Sequence, residues 1–318
     1  MPALGNVFKK FNPWHKEEEP LPPPFTPSTA YLFLAFYALI YFIPFYLSPT
    51  TRPSPTLSRD APSVIRSRIR SVSLSCALCT LTTSLILSRY AALSPSATLH
   101  LLGVYPLALI PAVKILLLTA LLFLGPLYSY FIVEKGYKPW LTLQPLRETL
   151  TEWTDYRNYI AGPVTEEILF RSSSLPLLLL SRAPLSGTIF LSPIIFGLAH
   201  IHHFYEFRLT HPAVPISASF VRSVFQLGYT TLFGAYANFL FLRTGSLLGV
   251  CAVHTLCNCM GLPQIWGRVE DENGEKKRNR LWTVGYYLLL ITGAWTWYGN
   301  LWGLSESVET GLVGVDQW

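Results

Sequence analysis

GPVTEEILFRSSSLPLLLL, residues 162–180, places Glu166, Glu167 and Arg171 ahead of an almost unbroken apolar run. The apolar run reads as a membrane helix. Ionised groups inside lipid are costly, and those present usually face a protein interior, a partner or a water-filled cavity. The chain around the stretch agrees with a membrane setting. It has 318 residues, of which 51% are hydrophobic and only 13% charged, with a mean hydropathy of +0.36. A soluble domain carries about twice that charged fraction. Length alone allows one to three soluble domains; composition points instead to an all-α, polytopic membrane protein.

A helix needs about 20 apolar residues to cross the hydrocarbon. Eight hydrophobic segments are expected, over residues 29–48, 71–88, 105–133, 160–181, 186–204, 216–242, 245–263 and 281–303. The second, fifth and seventh are short enough to be re-entrant. The domain plan is a polar, proline-rich tail over 1–28, a membrane domain over 29–303 with its core at 155–263, and a tail over 304–318. The first tail lacks the apolar core of a signal peptide, so the first segment is expected to be a retained span. Residues 134–158 mix charge with large apolar side chains, as in an amphipathic helix lying on the membrane.

The net charge is +6. Loop 49–70 carries Arg52, Arg59, Arg66, Arg68 and Arg70; loop 264–280 carries Arg268, Lys276, Lys277, Arg278 and Arg280. Eight crossings put both loops on one side, which the excess of basic residues marks as cytosolic. No nucleic-acid motif is present. All five cysteines lie in apolar stretches, favouring packing over disulfides.

Three polar clusters interrupt the apolar segments. In the first, Glu167 and Arg171 are four residues apart and share a helix face, acid before base, the favoured order. Glu166 lies about 100° from Glu167 and about 140° from Arg171, with no matching cation on its own helix, which leaves it available as a proton acceptor. The second is FGLAHIHHF, residues 196–204, where His200 and His203 share a face and His202 points elsewhere. The third is CAVHTLCNCMG, residues 251–261, where His254 and Asn258 are four apart. Single polar residues of this kind often serve only to join membrane helices. An acid, two imidazoles and an amide on three segments suggest one cavity.

Such a set can hydrolyse an amide bond. The carboxylate takes a proton from water, imidazoles orient the water or protonate the leaving amine, and the amide donor meets the oxyanion. No cofactor is required. Two histidines and a glutamate can also hold zinc, although no HExxH is present. A Cys257 thiol nucleophile would leave Glu166 unused. A proton-coupled transporter also keeps acids and histidines in the membrane, but it often shows internal repeats, and none is evident here.

The clusters resemble a known family. Glu166-Glu167-x-x-x-Arg171, Phe196-x-x-x-His200 and His254-x-x-x-Asn258 are similar, in order, to the EExxxR, FxxxH and HxxxN motifs of the type II CAAX prenyl endopeptidases, within the CAAX protease and bacteriocin-processing superfamily. The resemblance implies a multi-pass protease of the endoplasmic reticulum membrane whose site opens to the cytosol. It would remove the last three residues from prenylated CAAX proteins such as Ras-like small GTPases. By motif, Glu166 would be the base, His200 and His254 would hold the water, and Asn258 would supply the oxyanion donor. Glu167, Arg171 and His203 would support them.

Overall fold

A computed structural model describes residues 22–54, 57–270 and 276–314. Most of the expected amino-terminal tail and the last four residues lie outside that set. The described residues form helices and no strand.

Helix α1 spans Pro27–Leu47 and α2 spans Pro62–Ala91. Each begins with proline, whose missing N–H costs nothing in a first turn, and Thr26 caps α1 by accepting from Thr29 N. A short α3 covers Pro95–Leu101. Next come α4, Leu109–Leu122, and α5, Leu124–Val133, set at 81° to each other. The bend lies where the Pro126 ring would meet the Leu122 carbonyl of a straight helix. A small amphipathic α6, Gln144–Thr151, follows. Residues 153–180 form α7, in which α-helical turns alternate with two π-turns, Arg157–Ala161 and Ile168–Ser173. Then come α8, Gly187–Thr210, α9, Ile216–Thr244, α10, Leu247–Met260, and α11, Lys276–Ser305.

Among the described residues three helices are long and apolar enough to cross a membrane, α1, α2 and α8; the bent pair α4–α5 makes a fourth if taken as one span. The other expected segments fail on composition or length for visible reasons. Glu166, Glu167 and Arg171 sit in the middle of α7, and α9 carries Arg222 and Arg243. With 14 residues, α10 is about 21 Å long, less than the roughly 30 Å hydrocarbon core.

Most buried apolar residues form one cluster, Leu118, Leu169, Leu177, Phe196, Phe241 and Val253 among them, and a smaller one gathers Val133, Val269 and Tyr286. Large apolar side chains also cover the outside, among them Leu32, Leu81, Leu117 and Leu232. Apolar residues on both sides of a helix suit a lipid solvent. Hydroxyls tie the helices inside: Thr83 donates to Ser173 O at 2.7 Å and shares a hydrogen bond with Tyr37 at 3.0 Å, as polar groups do in bilayers. Ser172 and Ser174 likewise donate to Leu102 O and Leu169 O. The five cysteines are free thiols.

Contacts define two ends of the bundle. At one, Arg157 pairs with Asp60 at 2.7 Å and Asn258 Nδ2 donates to Asn158 O at 2.9 Å. This joins the loop after α1, the start of α7 and the end of α10. At the other, Leu247 N donates to Gly103 O at 3.0 Å, and the segment after α11 folds back so that Leu312 N donates to Leu242 O at 2.8 Å. The loop after α1, with Arg52 and Arg59, and the segment that follows α10, with Arg268, therefore start from the first end.

Candidate active site

Glu166 and Glu167 are neighbours in sequence and opposites in environment. The last α-helical turn before the π-turn Ile168–Ser173 carries both. The Glu167 side chain is 0% exposed and that of Arg171 1%, and they pair at 2.9 Å. Arg171 is held further by Asn238 Oδ1 at 3.2 Å and Gly234 O at 3.3 Å. Its guanidinium lies 4.7 Å from the centre of the Phe196 ring and 5.6 Å from that of Phe233. A buried charge survives only with such satisfaction.

Glu167 has a second partner. Its Oε1 also accepts from His254 Nδ1 at 2.7 Å, joining α7 to α10. A carboxylate can only accept here, so Nδ1 carries the hydrogen, and in the neutral ring the lone pair falls on Nε2. His200 on α8 is fixed in the same sense. Its Nδ1 lies 2.8 Å from Phe196 O, which can only accept, so Nδ1 carries the hydrogen and the neutral ring has its lone pair on Nε2. Both Nε2 atoms face Glu166, each 3.9 Å from Oε2. The Glu166 side chain is 20% exposed, so a small molecule can reach it. The structure thus brings Glu166, His200 and His254 from three helices to one point, with two lone pairs and a carboxylate converging.

Asn258 stands one turn beyond His254 and is exposed, with one amide hydrogen given to Asn158 O. That carbonyl needs a side chain: Gly162 N–H bonds Arg157 O across the π-turn, and Pro163 has no N–H to offer. The neighbouring Tyr159 O is taken by Thr255 Oγ1 at 2.7 Å. The seam between α7 and α10 is thus hydrogen-bonded on the N-terminal side of the Glu166–Glu167 turn as well as at Glu167 itself.

His203 packs at 5.8 Å from the His200 ring, edge to face, and its Nδ1 meets Glu206 Oε2 at 3.2 Å. Glu206 is the centre of a buried polar cluster that the sequence did not single out. Arg68 bonds it at 2.6 Å and Arg59 at 3.3 Å, while Arg68 also donates to Thr51 O at 2.8 Å. Burial lowers the pKa of Arg59, against the opposing charge of Glu206. His202 turns away and stacks on Phe42 at 5.4 Å. His202, His203 and Glu206 bring one ligand atom each within 4.8 Å of one another. Two guanidiniums already occupy that carboxylate, which does not suit a cation. Zinc bonds of about 2.0–2.1 Å in a tetrahedron set ligands about 3.3 Å apart, and Glu166 stands somewhat wider than that from each imidazole.

Nothing in the sequence spacing revealed the Glu167–His254 bond, the Glu206 cluster or the role of Asn238. Each depends on partners far apart in the chain. The signal present for Glu206 was a single acid in the aromatic stretch HHFYEF; its partners Arg59 and Arg68 were hidden among the other arginines of loop 49–70.

These features define a helical membrane protein with an acid–imidazole centre between its helices. Residues 151–260 match the family model described as type II CAAX prenyl endopeptidase Rce1-like. The chain is 37% identical to "Probable CAAX prenyl protease 2" of Schizosaccharomyces pombe, over 87% of this chain and 93% of that protein. It is 36% identical to "CAAX prenyl protease 2" of Homo sapiens over 74% of this chain and 73% of that protein. The protein of the same name from Saccharomyces cerevisiae is 29% identical over 90% and 96%. No solved structure matches the chain at a significant level. The chain belongs to the type II CAAX prenyl endopeptidase family.

Proposed function

We propose that this protein is an intramembrane endopeptidase that removes the carboxy-terminal tripeptide from prenylated CAAX proteins, Ras-like small GTPases among them. The observation that carries the mechanism is the convergence of the His200 and His254 Nε2 atoms on Glu166, each 3.9 Å from its Oε2. A water between them donates one hydrogen to Glu166 and is aligned by an imidazole. Glu166 takes the proton as the water oxygen attacks the carbonyl of the prenylated cysteine. The oxyanion is met by the second amide hydrogen of Asn258. The C–N bond then breaks, and the proton held by Glu166 passes to the leaving amine. Glu167 and Arg171 hold His254 in its tautomer, and His203 braces His200. No metal is needed for these steps.

The lipid chain also finds a place. A groove of about 580 Å³ runs between α2 and α7, lined by Ser73, Ala77 and Thr80 on one side and Val164 and Ile168 on the other. Val164 and Ile168 each lie two residues from Glu166 along α7 and so about 200° around the helix from it; the groove is proposed as a place for the isoprenoid alone. We further propose eight crossings, α1, α2, α4, α7, α8, α9, α10 and α11. The contacts that gather alternate loops at two ends support this count. The basic end faces the cytosol of the endoplasmic reticulum membrane.

The test is release of the tripeptide from a farnesylated CAAX peptide by purified protein. Glu166→Gln and His254→Ala should each abolish it. Wild-type rates in both variants would overturn the reading. Exhaustive chelation should leave the activity intact; loss that zinc restores would replace the metal-free mechanism.

A further inference from the structure

We infer that Asn238, which belongs to none of the three motifs, is a positioning residue that sets His254 through Arg171 and Glu167; this rests on the function proposed above. The argument starts in α8. Its first turns, Gly187–Leu191, are π-helical, and Ser192 N–H bonds Gly187 O. The next residue, Pro193, has no N–H. Thr188 O is thereby left without a backbone donor, and a buried carbonyl must find one elsewhere. Two side chains supply it: Ser192 Oγ at 2.8 Å and Asn238 Nδ2 at 2.8 Å.

Asn238 is 2% exposed, and every polar atom of its amide is engaged. Nδ2 donates to Thr188 O and is also 2.8 Å from Ser192 Oγ, and Oδ1 accepts from Arg171 Nε at 3.2 Å. The orphan carbonyl therefore dictates which way the amide points, and the amide turns its oxygen to Arg171. From there the chain runs Arg171 to Glu167 at 2.9 Å and Glu167 to His254 at 2.7 Å. It links α8, α9, α7 and α10 in that order. Oε1 of Glu167 receives both Arg171 and His254, while Oε2 is buried without a hydrogen-bond partner among the described residues. The carboxylate could rotate to share its donors between the two oxygens. The anchored guanidinium opposes that rotation and keeps Oε1 on His254 Nδ1. The same construction recurs at Asn258, which serves the carbonyl orphaned by the Gly162–Pro163 pair.

The experiment uses the full chain in detergent with Asn238→Ala and the isosteric Asn238→Asp. The Ala variant removes the amide; the Asp variant keeps an acceptor for Arg171 but loses the donor for Thr188 O and adds a charge competing with Glu167. Outer residues that orient a reactive imidazole typically matter by about 10- to 100-fold. We expect kcat to fall by that order while KM for the prenylated peptide stays within about threefold. The second readout needs no activity. The His254 Nδ1–H bonded to a carboxylate at 2.7 Å should give a far-downfield proton resonance, absent in His254→Ala. That resonance should move or vanish in the Asn238 variants. A folded variant with wild-type kcat and an unmoved resonance overturns the inference, and if Ala does not fold, Asp decides. Should the wild-type protein cleave nothing, the function proposed above fails, and the resonance alone still settles the role of Asn238.

Discussion

Two adjacent glutamates divide acid chemistry from architecture, and the division can be measured. Glu167→Gln removes the charge opposite a guanidinium whose side chain is 1% exposed. Breaking one half of a buried pair costs about 3–5 kcal/mol, so the thermal midpoint should fall sharply. Glu166→Gln, at a partly exposed side chain with no contact under 3.9 Å to either imidazole, should stay within about 0.5 kcal/mol of wild type while losing cleavage. The reverse pattern of melting would exchange the two roles. The sequence alone made the Glu167–Arg171 pair legible, because four-residue spacing on a helix is a local rule. It also separated Glu166 by angle. It could not show that Glu167 reaches His254, 87 residues away, since no local rule fixes how α7 meets α10.

Helices meet here through two devices that differ in their visibility. Glu206 on α8, Arg68 on α2 and Arg59 in the loop between α1 and α2 form a clamp beneath His203. Glu206→Ala should cost about 3–5 kcal/mol by stranding Arg68 and should speed proteolytic nicking of the loop 48–61; unchanged melting and nicking would rule the clamp out. Glycine gives the second device. A Cβ on Gly249 of α10 would stand 2.7 Å from Ile115 Cδ1 and 3.0 Å from Ala112 Cα of α4. Gly249→Val should therefore destabilise by about 1–3 kcal/mol, read as a lower melting temperature. The expected hydrophobic segments located these helices well, and α2 and α11 extend beyond them because polar and basic residues continue the helix past the apolar window. The π-turns were not legible, because they arise from tertiary demands on carbonyls next to proline rather than from residue preference.

At the scale of the whole molecule, charge asymmetry was the informative signal. The loop after α1 and the end of α10, far apart in sequence, both reach the start of α7, Asp60 through Arg157 and Asn258 through Asn158. A cysteine at Asp60 and one at Gln264, in a background with Cys259→Ser, should both react with an impermeant reagent added from the cytosol. One at Val308, beyond α11, should not. Labelling of Val308→Cys alone would invert the orientation. The number of crossings was less legible, because α7, α9 and α11 dilute their apolar character with charge or aromatic rings, and α10 is short.

The lone-pair geometry around Glu166 carries a lesson for ligand design. Two bare imidazole nitrogens and one carboxylate form a patch that can only receive hydrogens. A ketone or nitrile brings no hydrogen for these three acceptors. A hydrated aldehyde, a gem-diol or a protonated amine arrives with several hydrogens to give. Inhibitors built on such donor-rich warheads, tethered to an isoprenoid tail, should outcompete carbonyl mimics that lack them.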